Sequence, residues 1–206
     1  MIDDLALRWV VTGLFGLGAV ECVLPILTQR RPWATIISHG LHFLMAVGMA
    51  AMAWPWSARL PTTGPALFFL LAAVWFVSMA VVAARTTTVR VLCGYHGLMM
   101  LATAWMYATM NGHLLHVQTS TQPAMSMPDM DMAAMNMPAT SAPPIWFGAV
   151  NWVGIVGFAV AAAYWTYRYI IERQHATTRF RSLGNLSQAM MAAGMTILFL
   201  AMLFEI

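Results

Sequence analysis

The chain has 206 residues, of which 61% are hydrophobic and only 8% charged. Charges this sparse cannot clothe a soluble surface, and the basic residues are ten arginines gathered in a few loops, giving a net charge of +3 without a nucleic-acid-binding face. A cytosolic enzyme and a DNA-binding protein are thereby excluded, and an integral membrane protein is implied. Cys22 and Cys93 both lie within apolar stretches and are too few to staple a disulfide scaffold. The opening Met-Ile-Asp-Asp puts no basic run ahead of the first apolar segment, so that segment is expected to be a retained helix and not a cleaved signal.

A hydrocarbon core of roughly 30 Å needs about 20 mostly apolar residues per helix. Six stretches qualify: residues 5–27, 33–54, 65–84, 89–110, 145–167 and 184–204. Backbone groups in lipid must be paired within their own segment, so these spans are expected to be helices. The punctuation agrees, with Arg30, Arg31 and Pro32 after the first span, Pro55, Pro61 and Pro65 around the second turn, and Gly184 opening the last. Cytoplasmic loops collect positive charge. Arg30, Arg31, Arg85, Arg90, Arg168, Arg173, Arg179 and Arg181 fall on one side, whereas Asp3, Asp4, Asp129, Asp131 and Glu205 fall on the other with Arg8 and Arg59. The expected architecture is therefore an all-α polytopic membrane protein of six transmembrane helices paired as three hairpins, with both termini outside. Helices 1 to 4 occupy residues 1–110, a Met-rich flexible loop on the extracytoplasmic side occupies 111–144, and helices 5 and 6 occupy 145–206 of this protein of the plasma membrane. Trp9, Trp33, Trp54, Trp56 and Trp146 stand near the expected interfaces.

Nineteen methionines are a large excess. Twelve lie within spans, and all but Met79 of those lie in spans two, four and six, a bias that flexible apolar filler does not explain. Their spacing is helical. Span two carries His42, Met45, Met49 and Met52 on one face; span four carries His96, Met99, Thr103 and Met106, continued by Met110 and His113; span six carries Gln188, Met191, Met195 and Met202, interrupted by Leu198. Arg31 precedes His42 by eleven residues, as Arg85 precedes His96, which points to a helical hairpin used three times. Small residues such as Gly48, Ala50, Ala51, Ala102, Ala192 and Gly194 would let these helices approach closely.

Thioether sulfur is a soft, uncharged donor that favours Cu(I), and imidazole suits copper in either oxidation state. Neutral donors in a low-dielectric interior can hold a monovalent ion without burying carboxylates. A packing lining of small residues and methionine is the bland alternative for the same stripes.

Residues 119–144 read TSTQPAMSMPDMDMAAMNMPATSAPP, a composition that cannot bury a core and is expected to be flexible. Met125, Met127, Met130, Met132, Met135 and Met137 form Met-x-Met pairs around Asp129 and Asp131, resembling the Met-rich segments of bacterial copper-handling proteins; a plain linker of biased composition is the alternative. His113 and His116, three apart just before it, would share a helix face and offer a point of metal capture, or simply cap the helix at the interface.

Ionisable residues inside a bilayer suggest function. Glu21, Cys22, His39, His42, Cys93 and His96 fall at similar depth in the inner third, where they could form a second metal site; Glu21 pairing with His39 while the cysteines pack as small hydrophobes is the alternative. His42 and His96 are also candidates for the two axial ligands of a haem. His175 reads as a solvated residue.

The segments HGLHFLMAVGMAAMAW and GYHGLMMLATAWMYATM, with their His-x-x-Met pattern, make the chain similar to an uncharacterised family of small actinobacterial multi-pass membrane proteins, a domain of unknown function. The resemblance covers most of the membrane part and implies the fold without an activity. The expected function is copper binding, uptake or relay through Met and His sites. A non-catalytic subunit of a respiratory or oxidase complex, and a haem-binding electron-transfer protein, are the alternatives. The bilayer is the first expected partner, with a second membrane protein or a homo-oligomer as further ones and no nucleic acid. Walker, Rossmann, His-Glu-x-x-His and Ser-His-Asp patterns are missing from the sequence, which favours a non-enzyme.

Overall fold

The computed structural model describes residues 4–28, 33–59, 61–83, 86–110, 145–174 and 179–204. They form six long α helices and, among the described residues, no strand. These are α1 (Leu5–Thr28), α2 (Trp33–Met52), α3 (Thr63–Ser78), α4 (Thr87–Met110), α5 (Ile145–Gln174) and α6 (Arg179–Phe204). A 3₁₀ turn, Pro55–Arg59, follows α2, and α3 ends in a π-helical turn, Met79–Ala83.

Local chemistry accounts for the breaks. After α2 the Ser57 amide and hydroxyl both bond the Trp54 carbonyl, at 3.1 and 2.8 Å, which tightens the chain where Pro55 ends the helix. Pro65 lies in the first turn of α3, where its missing N–H forfeits no helical bond. At the opposite end of α3, the π turn leaves the Ala80 carbonyl free to accept from Arg90 Nε at 3.2 Å.

The helices pack principally in sequential pairs, α1 on α2, α3 on α4 and α5 on α6, and α1 also packs on α6. The expected three hairpins are therefore present. Close approach of the first and third relies on glycine. A Cβ at Gly194 of α6 would lie 2.7 Å from the Phe15 ring of α1, and one at Gly18 of α1 would lie 3.1 Å from Met191 Cγ. Between the first two hairpins, the Tyr107 hydroxyl donates to the Gly48 carbonyl at 3.1 Å.

Four helical stretches are long and apolar enough to cross a membrane: Leu5–Val23, Thr63–Val82, Ile145–Gln174 and Gly184–Phe204. In α2 the apolar stretch is the shorter Ile36–Met52, and α4 is diluted by Thr87, Thr88, Arg90, Tyr95, His96 and Thr103. Among the described residues these two helices carry the histidines, and each keeps a face of methionine and small residues turned inward. Elsewhere the outward faces are apolar, as a lipid environment demands: Leu71 and Val81 are each 70% exposed and Val153 is 73% exposed. The last hairpin is longer than the spans 145–167 and 184–204 anticipated. An Arg168–Glu172 ion pair of 2.8 Å one turn apart, and Asn185 Nδ2 donating to Glu172 Oε2 at 2.8 Å, prolong both helices beyond their apolar parts.

Candidate metal centre

His42, His96 and Gln188 are each the tenth residue of their helix, in α2, α4 and α6 respectively. With all three helices running in the same sense, equal register puts the three polar side chains at one level, about 14 Å along each axis from the helix start at 1.5 Å per residue. The two imidazoles meet edge to face, with ring centroids 4.2 Å apart and planes at 77°. Phe76 of α3 completes the cluster, its ring 5.2 Å from His42 and 5.6 Å from His96. Gln188 lies against His96 from α6.

The hydrogen bonding of His42 fixes its tautomer. Nδ1 stands 2.7 Å from the Ser38 carbonyl, which can only accept, so Nδ1 carries the proton and Nε2 of the neutral ring presents a lone pair. Metal-binding histidines are usually oriented this way, by one ring N–H donated to a carbonyl. His42 Nε2, His96 Nε2 and Gln188 Oε1 are all buried, and none has a hydrogen-bond partner outside this cluster. Buried polar atoms are seldom left so, and three at one level, two of them obligate acceptors, form a place suited to a cation.

Successive turns toward the other end of the bundle add sulfur. Met45, Met99 and Met191 occupy the thirteenth position of their helices; Met49, Thr103 and Met195 the seventeenth; Met52, Met106 and Leu198 the twentieth. All nine side chains are buried, and the eight apolar ones belong to a single core. Thr103 donates its hydroxyl to the Met99 carbonyl at 2.9 Å, so this one polar break in the column is satisfied within α4. Met110 is half-buried at the edge of the core.

The cysteines do not join this level as a cluster. Cys22 is buried on α1, next to Glu21, whose carboxyl bonds Ser187 of α6 through one oxygen while Oε2 is sealed without a partner. Cys93 is half-buried, one turn before His96. Among the described residues no three His, Cys, Asp or Glu side chains come together in a metal-ready group. The donors beside the imidazoles are thus thioethers and an amide. His113, His116, Met125, Met127, Met130, Met132, Met135 and Met137 lie outside the described residues.

Two members of the arrangement, Gln188 and Phe76, are not among the residues that the sequence marks as ligands. Gln188 was visible in the stripe of α6, and its register with the histidines was the available signal. Phe76 carried no signal, because its place depends on how α3 packs. Asn151 of α5 is a further buried polar residue, its Oδ1 accepting from Trp105 Nε1 at 3.3 Å.

Residues 34–202 match the profile of the family described as "Domain of unknown function (DUF5134)". The chain is 64% identical over 210 residues to "Uncharacterized protein Rv0970" of Mycobacterium tuberculosis and to "Uncharacterized protein Mb0995" of Mycobacterium bovis, with 100% of both chains covered in each comparison. No solved structure matches it.

Proposed function

This chain belongs to the DUF5134 family, and we propose that it is an integral membrane protein that holds and relays copper as cargo. The observation that carries this reading is the pair of imidazoles 4.2 Å apart whose buried Nε2 atoms have no partner outside their own cluster, at the head of a column of buried methionines. Two imidazoles, an amide and thioethers are neutral donors that suit Cu(I), and neutral ligands around a monovalent ion leave a net charge of only +1 in the low-dielectric interior. A divalent ion would be left with twice that charge and without a compensating carboxylate.

In this reading the chain crosses the bilayer six times with both ends outside, α2 and α4 included, each of which turns apolar side chains such as Val47 and Leu98 outward. The Met-rich segment 125–137, with His113 and His116, captures copper on that side. Arginines concentrated at the opposite side support the orientation. A haem bound by His42 and His96 is disfavoured by geometry, since rings 4.2 Å apart leave no room for a macrocycle between them.

The test is anaerobic loading of the detergent-purified protein with Cu(I), followed by gel filtration and metal analysis. Wild type should retain copper with nitrogen and sulfur scatterers in its X-ray absorption spectrum, and the His42→Ala/His96→Ala variant should lose the nitrogen contribution. Copper absent from folded wild type, or an unchanged spectrum in the variant, would refute the reading. Reporter fusions at the two termini check the orientation.

A further inference from the structure

The three hairpins do not close evenly on one another. Helices α4 and α5 meet at two levels through aromatic rings, Trp105 against Trp146 and Phe147 at one and Tyr95 against Trp165 at the other. Between these contacts and the flank of α3 lies a cavity of about 900 Å³, walled by side chains such as Leu67, Leu70, Leu98 and Val153. It follows α4 from Tyr95 to Ala108, about 20 Å of helix, and neither imidazole of the metal centre lines it. Among the described residues no charged side chain lines it, and the lining is that of a site for an apolar ligand.

Both ends carry a buried hydroxyl, Tyr95 at one and Thr62 at the other. Thr62 precedes α3 in the N-cap position, but its side chain makes no capping bond; it is only 8% exposed, its hydroxyl is buried without a partner, and it lines the cavity. An orphaned donor at the end of a long hydrocarbon-lined trough is the complement of an aliphatic chain that ends in a carbonyl acceptor.

We propose that this cavity holds one acyl chain of a bilayer phospholipid, with the glycerol ester carbonyl accepting a hydrogen bond from the Thr62 hydroxyl. At about 20 Å it is somewhat longer than one leaflet, about half of a roughly 30 Å hydrocarbon core, so an acyl chain of one leaflet can lie within it along its full length. The flanking faces of α3 and α5 are among the most exposed apolar surfaces of the protein, with Leu71 at 70% and Val153 at 73%, so bilayer lipid is the neighbour at hand. The chain supplies the packing that polypeptide fails to provide between the second and third hairpins, where an empty gap would forfeit dispersion contacts on both walls.

Native mass spectrometry of the detergent-purified protein, titrated with palmitoyl-oleoyl-phosphatidylethanolamine, provides the test. Gly157 lines the cavity, and a Cβ there meets nothing within 4 Å, so Gly157→Phe adds bulk at the cavity wall from a Cβ in open space. Wild type should keep a single lipid at collision energies that strip the rest. Occupancy should fall about tenfold in Gly157→Phe as buried methylene contacts are lost, and about fivefold in Thr62→Val as the hydrogen bond is lost. Lipids that all strip together, or equal occupancy in wild type and both variants, would overturn the proposal, as would a protein dimer in place of the lipid adduct. Copper retention should be unchanged in Gly157→Phe, which separates this outcome from that of the metal centre.

Discussion

His42 and His96 belong to different hairpins, yet their rings lie edge to face at 4.2 Å with both Nε2 atoms sealed from other partners. Packing alone does not require this. A leucine pair would fill the same space without leaving two polar atoms unpaired, so the arrangement sacrifices stability for chemistry.

That reasoning predicts the stability of His96→Leu. In the metal-free protein this variant should melt no lower than wild type and up to about 1–3 kcal/mol more stably, because an orphaned nitrogen is removed while the His42–Ser38 bond stays. Copper-dependent stabilisation should shrink or vanish in the same variant. Thermal melts in detergent, with and without Cu(I), check both parts, and a clear loss of metal-free stability would identify the imidazole as a structural group.

The sulfur column separates packing from ligation. Met49 and Met195 are both 0% exposed. Met49→Leu/Met195→Leu nearly conserves volume and should cost less than about 1.5 kcal/mol per site. If the sulfurs carry copper, the sulfur scattering in the loaded protein should fall while folding persists. An unchanged absorption spectrum would leave the column as core and nothing more.

Gly194→Ala and Gly157→Ala should differ in sign. The first pushes a methyl group to 2.7 Å from the Phe15 ring and should destabilise the contact of α1 with α6 by about 1–3 kcal/mol. The second enters open space and should be neutral, or stabilising by up to about 1 kcal/mol through helix propensity. Paired melting curves decide it.

Asn151 on α5 holds the Trp105 indole of α4. Asn151→Leu should strand the Nε1 donor and lower stability by about 1–3 kcal/mol, while Trp105→Phe in the same background should recover part of the loss. A double-mutant cycle by chemical denaturation measures the coupling.

Much of this architecture was legible in the sequence. The eleven-residue offset from Arg31 to His42 and from Arg85 to His96 encoded the hairpin repeat, and the three- and four-residue steps of methionine marked the faces that the fold buries. Both signals are local and periodic, so they survive without knowledge of tertiary packing. Gln188 stands in the α6 stripe, but an amide points to a ligand only once its register with two imidazoles is known. Phe76, Asn151 and the apolar cavity depend on how α3, α4 and α5 lean on one another, and no spacing within one segment reports that. The hydropathy of α4 is lowered by Thr87, Thr88 and Arg90 near its start and by Tyr95, His96 and Thr103 along its length, of which Thr103 is fully buried.

The third hairpin reaches the histidine-bearing pair chiefly by way of α1, through the close approaches at Gly18 and Gly194. A small rotation of α6 on that glycine bearing would carry Gln188, Met191 and Met195 together, since all three project from one rigid rod.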